Sequence, residues 1–181
     1  MRGRWAAGIV PRNFSWILED HLAIAERPGG HAPNHRKVRR QEEILWIKAQ
    51  GFTRVISLMS SPHNLYVYDE FQLPFIHIPL SPNADLKIFL PELYAMFSSW
   101  MENGDKVLVH NEDVSDQLVG IMAGYLLWTG LLPSGPQAIA VTERLVSRKM
   151  GSNGRSIVAI VTNFAPPETP LKIKSSTNSI R

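Results

Sequence analysis

The stretch Lys106-Val107-Leu108-Val109-His110-Asn111-Glu112-Asp113-Val114-Ser115-Asp116-Gln117-Leu118 sets the reading of this chain. Its first part is a short, continuously apolar run, the pattern of a strand buried on both faces of a parallel sheet. A polar loop follows, and from Asp116 to Gly130 the residues read as a helix. Strand, polar loop and helix N-terminus in that order make an anion-binding arrangement, because unpaired N–H groups and the helix dipole converge on the loop. Function is therefore sought first in residues 110–117.

Working outward, the apolar period alternates between that of strands and that of helices. Trp16-Ile17-Leu18 and Leu22-Ala23-Ile24-Ala25 are short strands around the turn-like Glu19-Asp20-His21, an opening hairpin. Arg27-Pro28-Gly29-Gly30 breaks structure, and Arg36 to Gln50 reads as an amphipathic helix closed by Gly51. Val55 to Met59 and Phe75 to Leu80 are strands, Asp85 to Met101 is a helix, and a further helix is expected over Ser134 to Lys149. The expected fold is α/β, with a central, mostly parallel sheet of about five strands flanked by helices. The expected boundaries are an N-terminal extension over 1–13, one domain over 14–164 and a flexible tail over 165–181, where prolines and small polar residues gather. No internal repeat is visible.

Composition narrows the function classes. A chain of 181 residues with 44% apolar and 19% charged side chains suits one globular unit with a real core. Residues 1–40 hold eight basic and three acidic groups (+5), residues 41–142 four and eleven (−7), and residues 143–181 seven and two (+5), so basic ends surround an acidic centre. The absence of cysteine excludes disulfides, thiolate metal sites and any cysteine nucleophile. The apolar run Trp5 to Val10 is shorter than the roughly 7–15 residues of a secretory signal core, and no leader is expected. The uncharged segment Gln117 to Thr142 stops being apolar at Leu132, short of the roughly 20 residues of a membrane span, so a buried helix is expected. No membrane association is expected, and the protein is expected to be intracellular and cytoplasmic.

Several words of the sequence share an order with a known family. Trp16-Ile17-Leu18, Leu22 to Gly29, Gly51-Phe52-Thr53-Arg54-Val55-Ile56-Ser57-Leu58, His77-Ile78-Pro79-Leu80 and Val107-Leu108-Val109-His110 stand in the sequence seen in dual-specificity protein phosphatases. Over roughly residues 14–150 the chain resembles that family, and the loop after His110 falls where the family keeps its phosphate-binding signature, His-Cys, five residues, Arg, then Ser or Thr.

The resemblance implies a degenerate member, a pseudophosphatase. The nucleophile position holds Asn111, whose amide cannot form a phosphoenzyme. The Arg position holds Gln117, without the charged planar fork that grips two phosphate oxygens, and Leu118 replaces the hydroxyl. In the general-acid region Pro82 has no proton to give, and Asp85 lies three residues further on. Val114 replaces a signature glycine, and a left-handed conformation there costs a β-branched residue roughly 1–2 kcal/mol. Glu112, Asp113 and Asp116 add negative charge, and one carboxylate about 6 Å from a phosphate dianion repels it by roughly 5 kcal/mol at an effective dielectric near 20. A phosphorylated substrate is not expected to bind at this loop.

The acidic residues also have an ordinary reading. Asp113 or Ser115 can cap the helix, and Asp116 sits in its first turn, where a carboxylate favours the dipole. His110, Glu112, Asp113 and Asp116 could supply ligands to a divalent ion, making a hydrolase or other metal-using enzyme the alternative function, but no metal-site spacing supports it. No metal or other cofactor is assigned, and the set of catalytic residues is left empty. His110 and His77 read as structural residues, His110 as a buried hydrogen-bonding brace. Arg36, Lys37, Arg39 and Arg40 form a basic run at the start of a helix, and Trp5 follows Arg2 and Arg4 outside the domain. These are the candidate partner-binding residues. Nucleic acid is an unfavoured partner, because the five tryptophans do not interleave with basic residues. The function expected is a binding, regulatory or scaffolding subunit whose partner is another protein.

Overall fold

The computed structural model describes residues 8–30 and 37–173. Eleven elements follow one another: β1 (Ser15–Leu18), β2 (Leu22–Glu26), α1 (Lys37–Ala49), β3 (Arg54–Ser57), α2 (Tyr66–Glu70), β4 (Phe75–His77), α3 (Leu86–Glu102), β5 (Val107–Asn111), α4 (Asp116–Trp128), α5 (Gly135–Leu145) and α6 (Ser152–Val161). The five strands form one sheet in the order β1-β2-β5-β3-β4, with β1 antiparallel to β2 and the remaining pairs parallel. The α/β fold with a five-stranded, mostly parallel sheet is the one the sequence implied. Gly51 follows α1 with φ +81°, a left-handed conformation that glycine adopts without a Cβ penalty.

Each central strand is buried on both faces, so its side chains divide between two cores. Leu22, Ile24, Ile56, Val107 and Val109 pack with α3, α4 and α6, whereas Ala23, Ala25, Val55 and Leu108 pack with α1 and with Leu65, Val67 and Tyr68 around α2. α4 has nine consecutive buried residues, Leu118 to Leu126, which explains its lack of charge without any membrane. Among the described residues no helix is long and apolar enough to cross a membrane.

The packing of α4 depends on two glycines. A Cβ on Gly120 would stand 2.5 Å from Gly154 Cα, and one on Gly124 would stand 2.4 Å from Tyr94 Oη. These positions let α6 cross α4 at backbone contact and let Tyr94 Oη donate to the Ile121 carbonyl at 2.7 Å. α6 and the short α2 have no counterpart in the sequence reading. The chain after α6 is tied down as far as Lys172: Trp128 Nε1 donates to the Ala165 carbonyl, Leu171 packs on the larger core, and Lys172 N–H donates to Glu102. At the other end Ile9 N–H donates to the Glu42 carbonyl, which lays residues 8–13 against α1 and the end of β2.

Candidate functional site at the carboxyl end of the sheet

The parallel register aligns Ala25, His110, Ser57 and His77 in one row at the carboxyl ends of β2, β5, β3 and β4. The row faces α1 and α2, and the Tyr68 ring lies 5.8 Å from that of His110. His77 Nε2 is 2.7 Å from the Met59 carbonyl, and because a carbonyl only accepts, Nε2 carries the proton. His110 is 1% exposed, buried as the sequence implied, and neither ring nitrogen makes a hydrogen bond of regular geometry. Burial pushes its imidazole down to about 3, against an opposing interaction with the Asn111 backbone and with added repulsion from Arg27 and His77. His110 is therefore neutral at physiological pH.

The loop between β5 and α4 is closed by contacts from its own chain. Asn111 Oδ1 accepts from Glu112 N–H at 2.9 Å, which turns the amide at the nucleophile position onto the loop backbone. Glu112 pairs with Arg27 at 3.1 Å. Val114 has its side chain in the core at 5% exposure, and it is not among the residues with positive φ. Arg148, from the α5–α6 connection, donates to the Val114 carbonyl. Ser115 is the N-cap of α4 and accepts from Leu118 N–H at 3.2 Å, while Asp113 is exposed. Gln117 stands in the first turn of α4, half-buried.

Asp116, in the first turn of α4, also serves the end of a second helix. Its two carboxylate oxygens accept from Gly151 N–H and Gly154 N–H, both at 2.6 Å, capping α6, whose own N-cap residue Gly151 has no side chain to do so. The three acids therefore do not pool their charge over the loop: one is neutralised by Arg27, one is committed to α6, and one faces solvent. Among the described residues no three His, Cys, Asp or Glu stand close enough to hold a metal ion. Neither Arg27 nor Arg148 stood out in the sequence as a loop residue, because each reaches the loop only through tertiary structure. Asp116→Ala should lower stability by about 1–2 kcal/mol through the lost cap, whereas Asp113→Ala should change it by less than about 0.5 kcal/mol, as urea denaturation of the two variants will show.

The other candidate residues are dispersed. Pro82 lies in the exposed turn after β4, and Asp85 is the N-cap of α3, accepting from Lys87 N–H at 3.0 Å. Lys37 is exposed, and Arg39 is bound to Glu43 at 2.7 Å. Arg40 is only 8% exposed, which removes it from the surface patch in which the sequence placed it: the helix turns this guanidinium toward the domain, and burial lowers its pKa. Arg36 and Trp5 lie outside the described residues.

Among solved structures the fold has clear counterparts. It is similar to a kinase associated phosphatase whose catalytic cysteine was substituted by serine, with 17% identity over 82% of this chain and 93% of that one and a TM-score of 0.67. The chain has the fold of the dual-specificity phosphatases. The same likeness extends to a PP-IP phosphatase from S. cerevisiae (12% identity, 84% and 87% covered, TM-score 0.62) and to human tyrosine phosphatase-like serine/threonine/tyrosine-interacting protein (16% identity, 82% and 93% covered, TM-score 0.59). No protein-family model and no curated protein matches the sequence.

The loop after β5 carries Asn111 and Gln117 at the positions that the resemblance gives to the nucleophile and the phosphate-binding guanidinium, and Ser115 engages the α4 N-terminus. Glu112 and Asp116 answer internal needs of the fold, and Asp113 faces solvent.

Proposed function

We propose that this protein is a catalytically inactive member of the phosphatase fold, a pseudophosphatase that acts by binding another protein as a regulatory or scaffolding subunit in the cytoplasm. The observation that supports this reading best is the loop itself, in which Asn111 stands at the nucleophile position and donates no electron pair to phosphorus but accepts from its neighbour's N–H. Gln117 provides no fixed charge, and the chain contains no cysteine that could substitute from elsewhere. One structural neighbour is described as a phosphatase-like interacting protein, a role consistent with retaining this fold without its nucleophile.

The test has two arms. Purified protein should turn over an aryl phosphate no faster than a denatured sample, and millimolar phosphate, sulfate or tungstate should leave its melting temperature unchanged. The double replacement Asn111→Cys with Gln117→Arg should not restore turnover, because Val114, the Arg148 contact and the Arg27–Glu112 pair hold the loop in its present shape, and catalysis requires placement to within fractions of an ångström. Reproducible turnover by the unmodified protein overturns the inactive reading. Affinity capture from the native cell extract, with Lys37→Glu and Arg39→Glu as a paired control, tests the binding role, and recovery of no specific protein counts against it.

A further inference from the structure

Three polar groups buried at the carboxyl end of the sheet lack hydrogen-bond partners: Ser57 Oγ, Tyr68 Oη and both ring nitrogens of His110. The residues are 0%, 2% and 1% exposed, so bulk water does not satisfy them. Unpaired buried polar atoms are uncommon in folded proteins and call for a cause, of which a bound water or ion is the usual one. Two of these groups, Tyr68 and His110, line one small cavity together with Arg27, Arg40, His63 and Asn64, between α1, α2 and the end of β5.

Size and chemistry restrict what this cavity holds. Its interior measures about 10 Å³, which is room for one small species. No Asp or Glu lines it. The two guanidiniums have donors and no acceptors, Tyr68 offers an O–H, and a neutral His110 offers one N–H. The Glu43 carboxylate, whose charge reaches Tyr68, is already committed to Gly29 N–H at 2.6 Å and Arg39 at 2.7 Å. A cation would meet the Arg27 and Arg40 guanidiniums, whereas a small acceptor-only ion would meet donors, with Arg27 shared between the cavity and its pair with Glu112.

We propose that this cavity is a binding site for a single halide ion, chloride in the cell, held by the Tyr68 O–H, a His110 N–H and the charges of Arg40 and Arg27. The site is separate from the loop after β5 and does not depend on the pseudophosphatase reading. The ion joins α1, α2 and the end of β5, so its effect is to fix the strand from which the loop departs.

The experiment uses the full-length protein. Melting temperatures are measured in sodium chloride and in sodium gluconate at matched ionic strength in the millimolar range, where general salt effects on burial are small. Chloride should raise the melting temperature in a saturable way by mass action, and gluconate should not. Tyr68→Phe keeps the ring and removes the donor, and it should lose the chloride increment. Crystals grown in sodium bromide should show an anomalous scattering peak inside the cavity of the unmodified protein, a measurement that stands even if the variant fails to fold. Equal melting curves in the two salts, an increment retained in Tyr68→Phe, or a cavity occupied by water without anomalous signal would each overturn the proposal. Oxyanion binding and turnover, which test the preceding reading, do not enter these measurements.

Discussion

Gly120→Ala should unfold at a clearly lower temperature than the unmodified protein. The added methyl would lie 2.5 Å from Gly154 Cα and 2.7 Å from Gly154 O, which are backbone atoms that no rotamer change can move. Overpacking usually costs about 1–3 kcal/mol, and a backbone obstruction places this case at the upper end. Alanine's better helix propensity, worth up to about 1 kcal/mol relative to glycine, offsets part of the cost. A net loss of about 2 kcal/mol corresponds to a fall of roughly 4–8 °C for a domain of this size, readable by calorimetry. Gly135→Ala is the control, because its methyl would meet Val158 Cγ1 at 3.4 Å, an ordinary contact, and should leave the melting temperature nearly unchanged. Equal effects at the two positions would show that α6 can shift away from α4.

The second large effect is on the pH dependence of stability. His110 has its folded pKa pushed down to about 3 by burial, against about 6.5 in an unfolded chain. As the pH falls below 6.5 the unfolded state takes up this proton first, so the stability that neutral His110 contributes is complete above pH 6.5 and is lost progressively toward pH 3. Between pH 6.5 and pH 5 the loss from this one residue should be on the order of 2 kcal/mol. Urea denaturation at pH 7 and pH 5 of the unmodified protein and of His110→Leu separates it from the other histidines, which both forms share. The unmodified protein should lose about 2 kcal/mol more than the variant over that interval, and parallel losses would mean that His110 reaches a proton or a partner in the folded state.

The candidate site was legible in the sequence only as a set of positions. Asn111 and Gln117 could be assigned from the order of the surrounding words, because identity at a position needs no geometry. The behaviour of the acids was not legible in the same way. Glu112, Asp113 and Asp116 read alike as carboxylates beside a helix N-terminus, yet their partners come from elements far away in sequence: Arg27 before α1 for the first, Gly151 and Gly154 of α6 for the last. Arg40 likewise read as part of a surface run, and only the rotation of α1 against the domain turns it inward. Local pattern reports which groups are available, whereas the choice of partner belongs to long-range contacts.

What the sequence determined by itself was the alternation of strands and helices and the buried character of β5 and α4. Each of these follows from side-chain type and period, which act locally. The tertiary structure alone decided that residues 152–161 form a helix. Gly151, Asn153 and Gly154 are weak helix formers, and the segment carries no cap of its own. Asp116 supplies the missing cap from another helix, and Gly154, which weakens α6 in isolation, is what permits its closest contact with Gly120. The same residue thus opposes the helix by propensity and favours it by packing, and packing wins because the buried contact exists only once α4 is already in place.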